Sequence, residues 1–338
     1  MKTFIASSLS LSNINSVFKI STAGYRFNPF TAMLNPGRIL FNSAMLLKRR
    51  ANIRDEFNNL IRVDEKDSLG VLGGKIHEPA IRRLMSERIK PGSTVLDIGA
   101  NIGYHTLLLS RLAGVNGRVY AFEPSGQNFA LLEANIRNNR ICNATAENIA
   151  VSDSNGPTRL YLNDSNHGMN RVYDSLCADL SIEVESVKLD DYLRDRVQRV
   201  DFVKIDVEGW EYPALKGMIG NIRKNSRIEI ITEYSPASMT EAGVDPVSYL
   251  EFLLDNGFDI FLIGDKKTVL QNPSDLFQWT NRIAEIADAF ISLVKEKGKP
   301  FSPAETPAEF IRFASSRYGY KGEFSMDLFC RGNRATQH

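Results

Sequence analysis

The chain has 338 residues, of which 43% are hydrophobic and 24% are charged, with 41 basic side chains against 40 acidic ones. This composition is typical of a globular protein with a sizeable core, and it excludes a disordered or fibrous chain. The net charge of +1 provides no global field that would attract nucleic acid or an anionic membrane.

The cysteines and the N-terminal residues indicate the cellular compartment in which we expect the protein. Cys142, Cys177 and Cys330 have neither metal-ligand spacing nor the even count of a disulfide framework, so we expect reduced thiols. Serines and asparagines interrupt the apolar run after Lys2, whereas an export signal needs a continuous one. No stretch approaches the length of a membrane span. We therefore expect a cytoplasmic protein.

The N-terminal part, residues 1–74, is interpreted as an accessory extension of a domain that covers 75–338. Residues 39–50 predict an amphipathic helix with a basic end, which could pack on the domain, on a partner or on a lipid surface. Residues 60–74 are typical of a small hairpin. A helix over 77–89 should then bring Glu78 near the ligand edge of the sheet, and His77 is interpreted as a helix-start residue rather than a ligand.

The chain is organised around residues 95–106. An apolar run that ends in Asp97 is followed by Gly99 and Gly103, and apolar residues then recur at helical spacing. This pattern predicts a buried strand, a tight turn and a helix, which is where an open α/β sheet receives an adenosine-containing ligand. We expect Gly99 to let backbone N–H groups approach the ligand, and the helix after Gly103 to direct N–H groups at an anionic part of it.

A second strand, over 118–122, ends in Glu123. A carboxylate at that tip, beside the glycine loop, can accept hydrogen bonds from both hydroxyls of a ribose. The loop and the carboxylate together, rather than either alone, predict the nucleoside site.

Strands and helices alternate through the rest of the chain. Further strands are predicted over 144–151, 158–162, 181–187, 200–207, 227–234, 257–264 and 323–330, with a helical insertion at about 270–322 before the last one. This alternation predicts a doubly wound, mostly parallel α/β sheet.

Four separated motifs resemble those of the FkbM family, a branch of the class I, Rossmann-like methyltransferases that use S-adenosylmethionine. They are DIGANIGY at 97–104, FEP at 122–124, AVSD at 150–153 and KIDVEGWE at 204–211, and VKLDDYL at 187–193 fits the same family. The resemblance covers about residues 70–265 and the final strand.

The resemblance implies a seven-stranded sheet with its last strand antiparallel and S-adenosylmethionine at the carboxyl edge. Its cofactor-binding residues would be Asp97, Gly99, Asn101, Gly103, Tyr104, Glu123 and Ala150. Among these, Glu123 would hold the ribose and Asp97 would reach the amino group, through water. Asn101 stands where many methyltransferases outside this family have glycine.

Four residues are candidates for catalysis, since methylation of an alcohol benefits from a general base. Asp206, at a strand tip, would take the acceptor proton, or it would bind the cofactor or cap the next turn. Glu208 follows in the same loop and could instead cap the next helix. His167 would be the reserve base, or it is simply a solvated loop residue. Glu233 would contact the acceptor, or it lies exposed in its loop. His105 is interpreted as a packing residue, and we expect no metal, because no ligand spacing demands one.

Other functions share parts of this pattern. A nicotinamide-dependent oxidoreductase would use the same loop, but it needs glycine at position 101 to admit a diphosphate. A silent binding module would not need the intact motif at 206–210, and a nucleic-acid methyltransferase is disfavoured by the net charge. The leading hypothesis is O-methylation of a hydroxyl on a sugar, glycolipid or secondary metabolite. The acceptor is a small molecule or glycan, and the sequence does not give an oligomeric state.

Overall fold

The computed structural model describes residues 52–333 apart from 164, 165, 177, 179, 266 and 299–304. The helix expected at 39–50 lies outside these residues. Within the described part, no helix combines the length and the apolar character that crossing a bilayer requires. The thiols of Cys142 and Cys330 are free, with Cys142 exposed and Cys330 buried.

The described strands are numbered in chain order. They are β1 Ile53–Arg54, β2 Leu60–Ile61, β3 Thr94–Ile98, β4 Arg118–Phe122, β5 Ala144–Glu147, β6 Ala150–Val151, β7 Gly156–Leu162, β8 Leu180–Val187, β9 Phe202–Ile205, β10 Glu229–Tyr234, β11 Phe258–Ile263, β12 Thr268–Leu270 and β13 Met326–Gly332.

The described helices are numbered in the same way. They are α1 Pro79–Arg88, α2 Tyr104–Ala113, α3 Gly126–Asn138, α4 Leu189–Tyr192, α5 Glu211–Lys216, α6 Ile219–Lys224, α7 Pro236–Glu241, α8 Pro246–Asp255, α9 Pro273–Glu296 and α10 Thr306–Tyr318. A 3-10 turn is described at His167–Met169.

Eight of the described strands form the main sheet, in the order β12-β11-β13-β10-β9-β3-β4-β5. Neighbours from β10 to β5 are parallel, and β13 runs antiparallel to both β10 and β11. Seven of these strands confirm the predicted Rossmann-like sheet with its antiparallel last strand. The eighth, β12, is an edge strand that the sequence did not predict, and it pairs antiparallel with β11.

The core lies on both faces of this sheet, as continuous apolar strands require. On one face the side chains of β3, β9 and β10 pack against α5, α7 and α8, with Leu96, Val203, Ile230 and Leu250 fully buried. On the other face α1 and α2 cover the sheet, with Leu108 and Leu109 inside. Asp245 caps α8 through the N–H groups of Val247 and Ser248, as its position before Pro246 suggests.

The strand predicted over 144–151 is divided in two. β5 completes the edge of the main sheet, whereas β6 joins a separate three-stranded sheet of order β6-β8-β7. Asn148 makes this division, because its side-chain amide donates hydrogen bonds to the carbonyls of Glu123 and Pro124 at 2.8 and 3.0 Å. The chain therefore leaves the sheet next to the tip of β4, and the small sheet stands over the carboxyl edge.

Residues 52–74 pack closely on the domain. The hairpin β1–β2 lies slightly earlier than the sequence predicted, and Asn135 and Asn139 on α3 hydrogen-bond to the backbone of Leu60 and Arg62. Arg82 on α1 is buried and forms ion pairs with Asp55 and Glu56. The insertion before β13 is helical, as expected, and consists in its described part of β12, α9 and α10.

Candidate active site

The glycine loop begins at Gly99, which directly follows β3. Its φ is +78°, and a Cβ at this position would lie 1.8 Å from the carbonyl oxygen of Asp206. The N–H groups of Gly99 and Ala100 both bond to the carbonyl of Phe122. These two N–H groups are therefore already bonded within the protein, and the expectation that Gly99 lets backbone N–H groups approach a ligand stays a prediction. This position needs glycine because the backbone after β9 crosses directly against it.

Glu123 follows β4 and is buried at the same edge. Its carboxylate accepts the N–H groups of Asn101 at 2.8 Å and Ser125 at 2.9 Å. Burial raises the pKa of this carboxyl to about 7, although the two N–H donors favour the charged form. Asn101 has a φ of +51°, which asparagine tolerates, so the backbone can turn its N–H group toward Glu123 without glycine.

A cleft opens between these two strand tips and the small sheet. Its walls include Gly99, Asn101, Glu123, Asn128, Ala150, Leu160, His167, Asp206, Glu208 and Trp210. Gly103 and Tyr104 are not among its lining residues. Gly103 instead lies against Leu132, and the ring of Tyr104 packs under the guanidinium of Arg82 at 4.4 Å.

Several polar atoms around this cleft lack a partner among the described residues. They are the buried Oδ1 atoms of Asn101 and Asn128 in its wall, and Oδ1 of Asp97, which is fully buried on β3 and is not among the lining residues. The other oxygen of Asp97 accepts the hydroxyl of Thr106 at 2.5 Å. A buried acceptor without a donor is costly, so these atoms suit a ligand that brings hydrogen-bond donors.

Lys204 lies on β9 and Asp206 directly follows this strand. The two residues share one face of the strand, and Lys204 Nζ donates to Asp206 Oδ2 at 3.0 Å. The ammonium is buried, which lowers the pKa of Lys204, but the charges of Asp206, Asp97 and Glu78 outweigh burial and raise it overall. The side chain of Asp206 remains 32% exposed. Sequence reasoning missed Lys204, although the two-residue period of a strand would have indicated it.

The loop after β9 is held by Glu211. Its carboxylate accepts the N–H groups of Val207 at 3.0 Å and Gly209 at 3.1 Å. Glu208 has a φ of +56° between them, and a Cβ on Gly209 would meet the backbone of Ser238 at 2.8 Å. The sequence leaves helix capping open as an alternative role for Glu208. In the structure, however, the carboxylate that accepts the loop N–H groups is that of Glu211.

Glu208 is paired with a buried arginine instead. Arg171 Nη2 lies 3.4 Å from Glu208 Oε2, while Nη1 binds Glu241 on α7 at 2.8 Å. Tyr173 donates its hydroxyl to the backbone carbonyl of Glu208 at 2.8 Å, and its ring stacks on Trp210. Burial raises the pKa of Glu208 to about 7, against the opposing charge of Arg171.

A second pocket lies beyond Asp206, on the side away from Glu123. Its lining includes Lys204 and His77 together with the carboxyl groups of Glu78, Asp206, Glu208, Glu233 and Asp327. Burial and the neighbouring carboxylates raise the pKa of Glu233 well above its ordinary value, and Oε2 of Glu233 has no hydrogen-bond partner among the described residues. Burial likewise raises the pKa of Asp327 to about 7. We call this space the acceptor pocket, after the role that we propose for it in the function of the protein.

His167 lies in the wall of the cleft rather than in the acceptor pocket. Its imidazole is almost fully buried, with Nδ1 3.8 Å from Asp64. Its backbone is fixed by Ser68, which accepts the N–H group at 3.1 Å, and by Asn128, which donates to the carbonyl at 3.1 Å. The structure thus brings Asp206, Glu208 and Glu233 together at one pocket and sets His167 apart from it.

Two histidines flank Glu78 on the far wall of the acceptor pocket. His105 Nε2 lies 2.8 Å from Glu78 Oε2, and His77 Nε2 lies 3.4 Å from Glu78 Oε1. Burial favours a higher pKa for Glu78, but the hydrogen bond and charge of His105 outweigh it and hold the pKa well below its usual range. Burial lowers the pKa of His77. Glu78 lies at this edge as the sequence predicted, but nothing in the sequence indicated the cluster.

An apolar groove continues from the acceptor pocket. Met169 borders both spaces, and the groove extends between α7, α9 and α10 past Phe290, Ile291 and Phe310. Arg171 and Glu241 border it on the side of the loop after β9. The helical insertion therefore supplies much of the wall next to the acceptor pocket.

An open sheet of this strand order, with a glycine loop and a buried carboxylate at its carboxyl edge, defines a Rossmann-like fold. Residues 97–260 match the family described as the methyltransferase FkbM domain.

Two relatives align with part of the chain. The "31-O-demethyl-FK506 methyltransferase FkbM" of Streptomyces tacrolimicus is 31% identical over 160 residues, which are 38% of this chain and 61% of the relative. "Methyltransferase sdnD" of Sordaria araneosa is 27% identical over 198 residues, which are 49% of this chain and 73% of the relative. The solved "Methyltransferase FkbM" from Methylobacillus flagellatus KT overlaps 59% of this chain and 50% of its own, with 15% identity and a TM-score of 0.31.

Proposed function

We propose that the protein is an S-adenosylmethionine-dependent O-methyltransferase whose acceptor is a hydroxyl on a small molecule with an apolar body, such as a glycolipid or secondary metabolite. One observation carries this proposal above the others. The buried Glu123 carboxylate and the partly exposed Asp206 carboxylate flank one cleft, and Asp206 also borders the acceptor pocket. A nucleoside and an acceptor can therefore meet at the tip of β9.

The cofactor side of the proposal assigns one role to each residue. Glu123 would accept the ribose hydroxyls, because its charged oxygens are already aligned by two backbone N–H groups. Asp97 and Asn101 would accept donors from the amino-acid part, since each has a buried oxygen without a partner among the described residues. Ala150, in the wall formed by the small sheet, would contact the adenine. When bound, S-adenosylmethionine supplies an electrophilic methyl group.

Asp206 would position the acceptor hydroxyl and take up its proton. Lys204 fixes one carboxylate oxygen, and the other makes no hydrogen bond to any described residue. Holding the nucleophile in line with the methyl group accounts for much of the rate enhancement in such a displacement, and proton removal adds to it. We assign His167 a role in the cofactor wall, because it does not border the acceptor pocket.

The acceptor pocket suits a polar group with a hydroxyl donor. Glu208 and Asp327 have pKa values of about 7, so each can exchange between donor and acceptor near neutral pH. The adjoining groove is apolar where Phe290, Ile291 and Phe310 line it. A hydroxylated head in the pocket with an apolar body in the groove would satisfy both surfaces.

The test separates binding from chemistry. Calorimetry should show that S-adenosylmethionine binds and that NADH does not. Asp206→Asn keeps the shape of the side chain but removes its basicity, so single-turnover methyl transfer should slow by about 10²–10⁴-fold with cofactor affinity unchanged. Acceptors would come from metabolite extracts screened with radiolabelled cofactor.

His167→Ala is the matched control, and it should affect turnover much less. Loss of cofactor affinity and turnover together in Asp206→Asn would make Asp206 a binding residue. NADH binding without S-adenosylmethionine binding would favour an oxidoreductase and overturn the proposal. We further propose a cytoplasmic location, in keeping with the free thiols of Cys142 and Cys330.

A further inference from the structure

The cluster of His77, Glu78 and His105 has no role in the methyl transfer described above. One ligand atom from each residue lies within 4.8 Å of the other two. The carboxylate of Glu78 stands between the imidazoles, with one oxygen toward each ring. We propose that these three side chains form a binding site for a divalent transition-metal ion such as zinc.

The distances suit such an ion. Zinc binds histidine nitrogen and carboxylate oxygen at about 2.0–2.2 Å, so two ligand atoms on one tetrahedral ion lie about 3.4 Å apart. His77 Nε2 and Glu78 Oε1 are 3.4 Å apart, and His105 Nε2 and Glu78 Oε2 are 2.8 Å apart. The second pair must widen by about half an ångström, and its contact is a hydrogen bond that the ion would replace. The ligand atoms of the two imidazoles lie within 4.8 Å of each other, so a shift of each ring by about 1 Å at most brings them to the same separation.

The donor set also selects the kind of metal. Two imidazoles and one carboxylate favour zinc and its neighbours in the first transition row, whereas magnesium and calcium prefer oxygen donors. Asp206, Glu208 and Glu233 offer such an all-oxygen set nearby. In that set, however, Arg171 already pairs with Glu208 and Lys204 with Asp206.

Neighbouring groups hold the two rings in place. His77 packs edge-on against the ring of Tyr104 with centroids 5.8 Å apart, and His105 does so at 5.5 Å. Tyr104 is itself held by the guanidinium of Arg82. This packing limits the loss of side-chain freedom on metal binding, which favours affinity.

An ion at this site would have an open position toward the acceptor. His77 and Glu78 both line the acceptor pocket, whereas His105 is buried behind them, with 7% of its side chain exposed. Three protein ligands with an open fourth position are the arrangement of catalytic zinc sites, where the metal polarises a bound oxygen. The proposal that a metal ion binds here does not depend on the proposed methyl transfer. A role for that ion in activating the acceptor hydroxyl does rest on the proposed function.

The experiment measures zinc binding directly, on full-length protein without a polyhistidine tag. Protein stripped with a chelator and reloaded should hold one zinc ion per chain by elemental analysis, and competition with a chromogenic chelator gives the affinity. His77→Gln and Glu78→Gln should each weaken zinc binding by at least about 100-fold. Cobalt loading should give the visible absorption of a low-coordinate nitrogen–oxygen site, and His77→Gln should abolish it.

His167→Ala and Glu233→Gln are the controls, because they remove a histidine and a carboxyl group near the site but outside the cluster. Unchanged zinc affinity in both supports the proposal. Failure of the native protein to hold stoichiometric zinc, unchanged affinity in His77→Gln, or equal losses in either control would overturn it. S-adenosylmethionine binding by the native protein in chelator tests the proposed function separately, and circular dichroism shows that each variant is folded.

Discussion

Replacing Gly99 by alanine tests the central contact of the site, where two loops cross without room for a side chain. The new Cβ would lie 1.8 Å from the carbonyl oxygen of Asp206 and 2.9 Å from its carbonyl carbon. Both atoms belong to the backbone, so no rotation of a side chain relieves the overlap. The tip of β9 must move by at least about 1.2 Å to reach a contact of 3.0 Å, the lower limit for real Cβ atoms.

The cost has three parts. A left-handed backbone costs alanine about 1–2 kcal/mol relative to glycine. Displacing packed backbone costs about 1–3 kcal/mol more. The shift also weakens the hydrogen bond from the Asp206 N–H group to Ile98, worth about 1 kcal/mol. We expect Gly99→Ala to lower the free energy of unfolding by about 3–6 kcal/mol, a large part of a typical total.

Gly92→Ala is the matched control. Gly92 has a φ of +88°, but no atom lies within 4 Å of the place that a Cβ would take, so only the backbone term of about 1–2 kcal/mol should remain. Urea unfolding monitored by circular dichroism gives the unfolding free energies of the two variants, which can be compared if both depend on urea concentration with the same slope. A difference of less than about 1 kcal/mol between the two variants would refute the crossing of the loops as the reason for this glycine.

Three further predictions concern protonation and the boundary of the domain. In the proposed site the ribose hydroxyls would bind the ionised form of Glu123, whose pKa is about 7, so cofactor affinity measured by calorimetry should rise about tenfold from pH 6 to pH 8. Glu123→Gln should weaken binding and flatten that profile, and an unchanged profile would contradict the assignment. The native state holds a proton on Glu233 that the unfolded chain releases above its ordinary pKa of 4.5, so stability should fall as pH rises through that window. In thermal unfolding, Glu233→Gln should make the decrease in unfolding free energy with pH smaller by up to about 1.4 kcal/mol per pH unit. An equal decrease in the native protein and the variant would count against a proton held on Glu233. A chain that starts at Asn52 should fold and bind S-adenosylmethionine with native affinity, since every cofactor motif follows residue 74, and insolubility or lost binding would make the extension part of the core.

Sequence periodicity predicted the main sheet because its strands are continuous apolar runs. β3, β9 and β10 are buried on both faces, so their composition does not depend on which neighbour they meet. The division of 144–151 was not predictable, because it depends on the side chain of Asn148 reaching the tip of β4. Similarly, the three residues of β12 are too short to leave a periodic pattern.

A residue of the candidate site was predictable only where the same short motif contains the residue and the strand that positions it. Glu123 and Asp206 follow apolar strands, so their place at the carboxyl edge follows from the strand direction alone. Lys204 shares a face with Asp206 by simple alternation and could have been found. His77 and Glu78 directly precede α1, whereas His105 lies in α2. No spacing in the chain indicates that the rings of the two histidines would flank one carboxylate.

The loop held by Glu211 has a consequence for how ligands enter. Its N–H groups are already bound, its carbonyl at Asp206 rests against Gly99, and Gly209 has no room for a side chain. Such a loop is preorganised, so little reorganisation energy is required of it when charge shifts during a reaction. We therefore expect any induced fit to involve the insertion helices α9 and α10, which border the groove, rather than this loop. Substrate range can then change through those helices without altering the geometry in which the reacting groups are held.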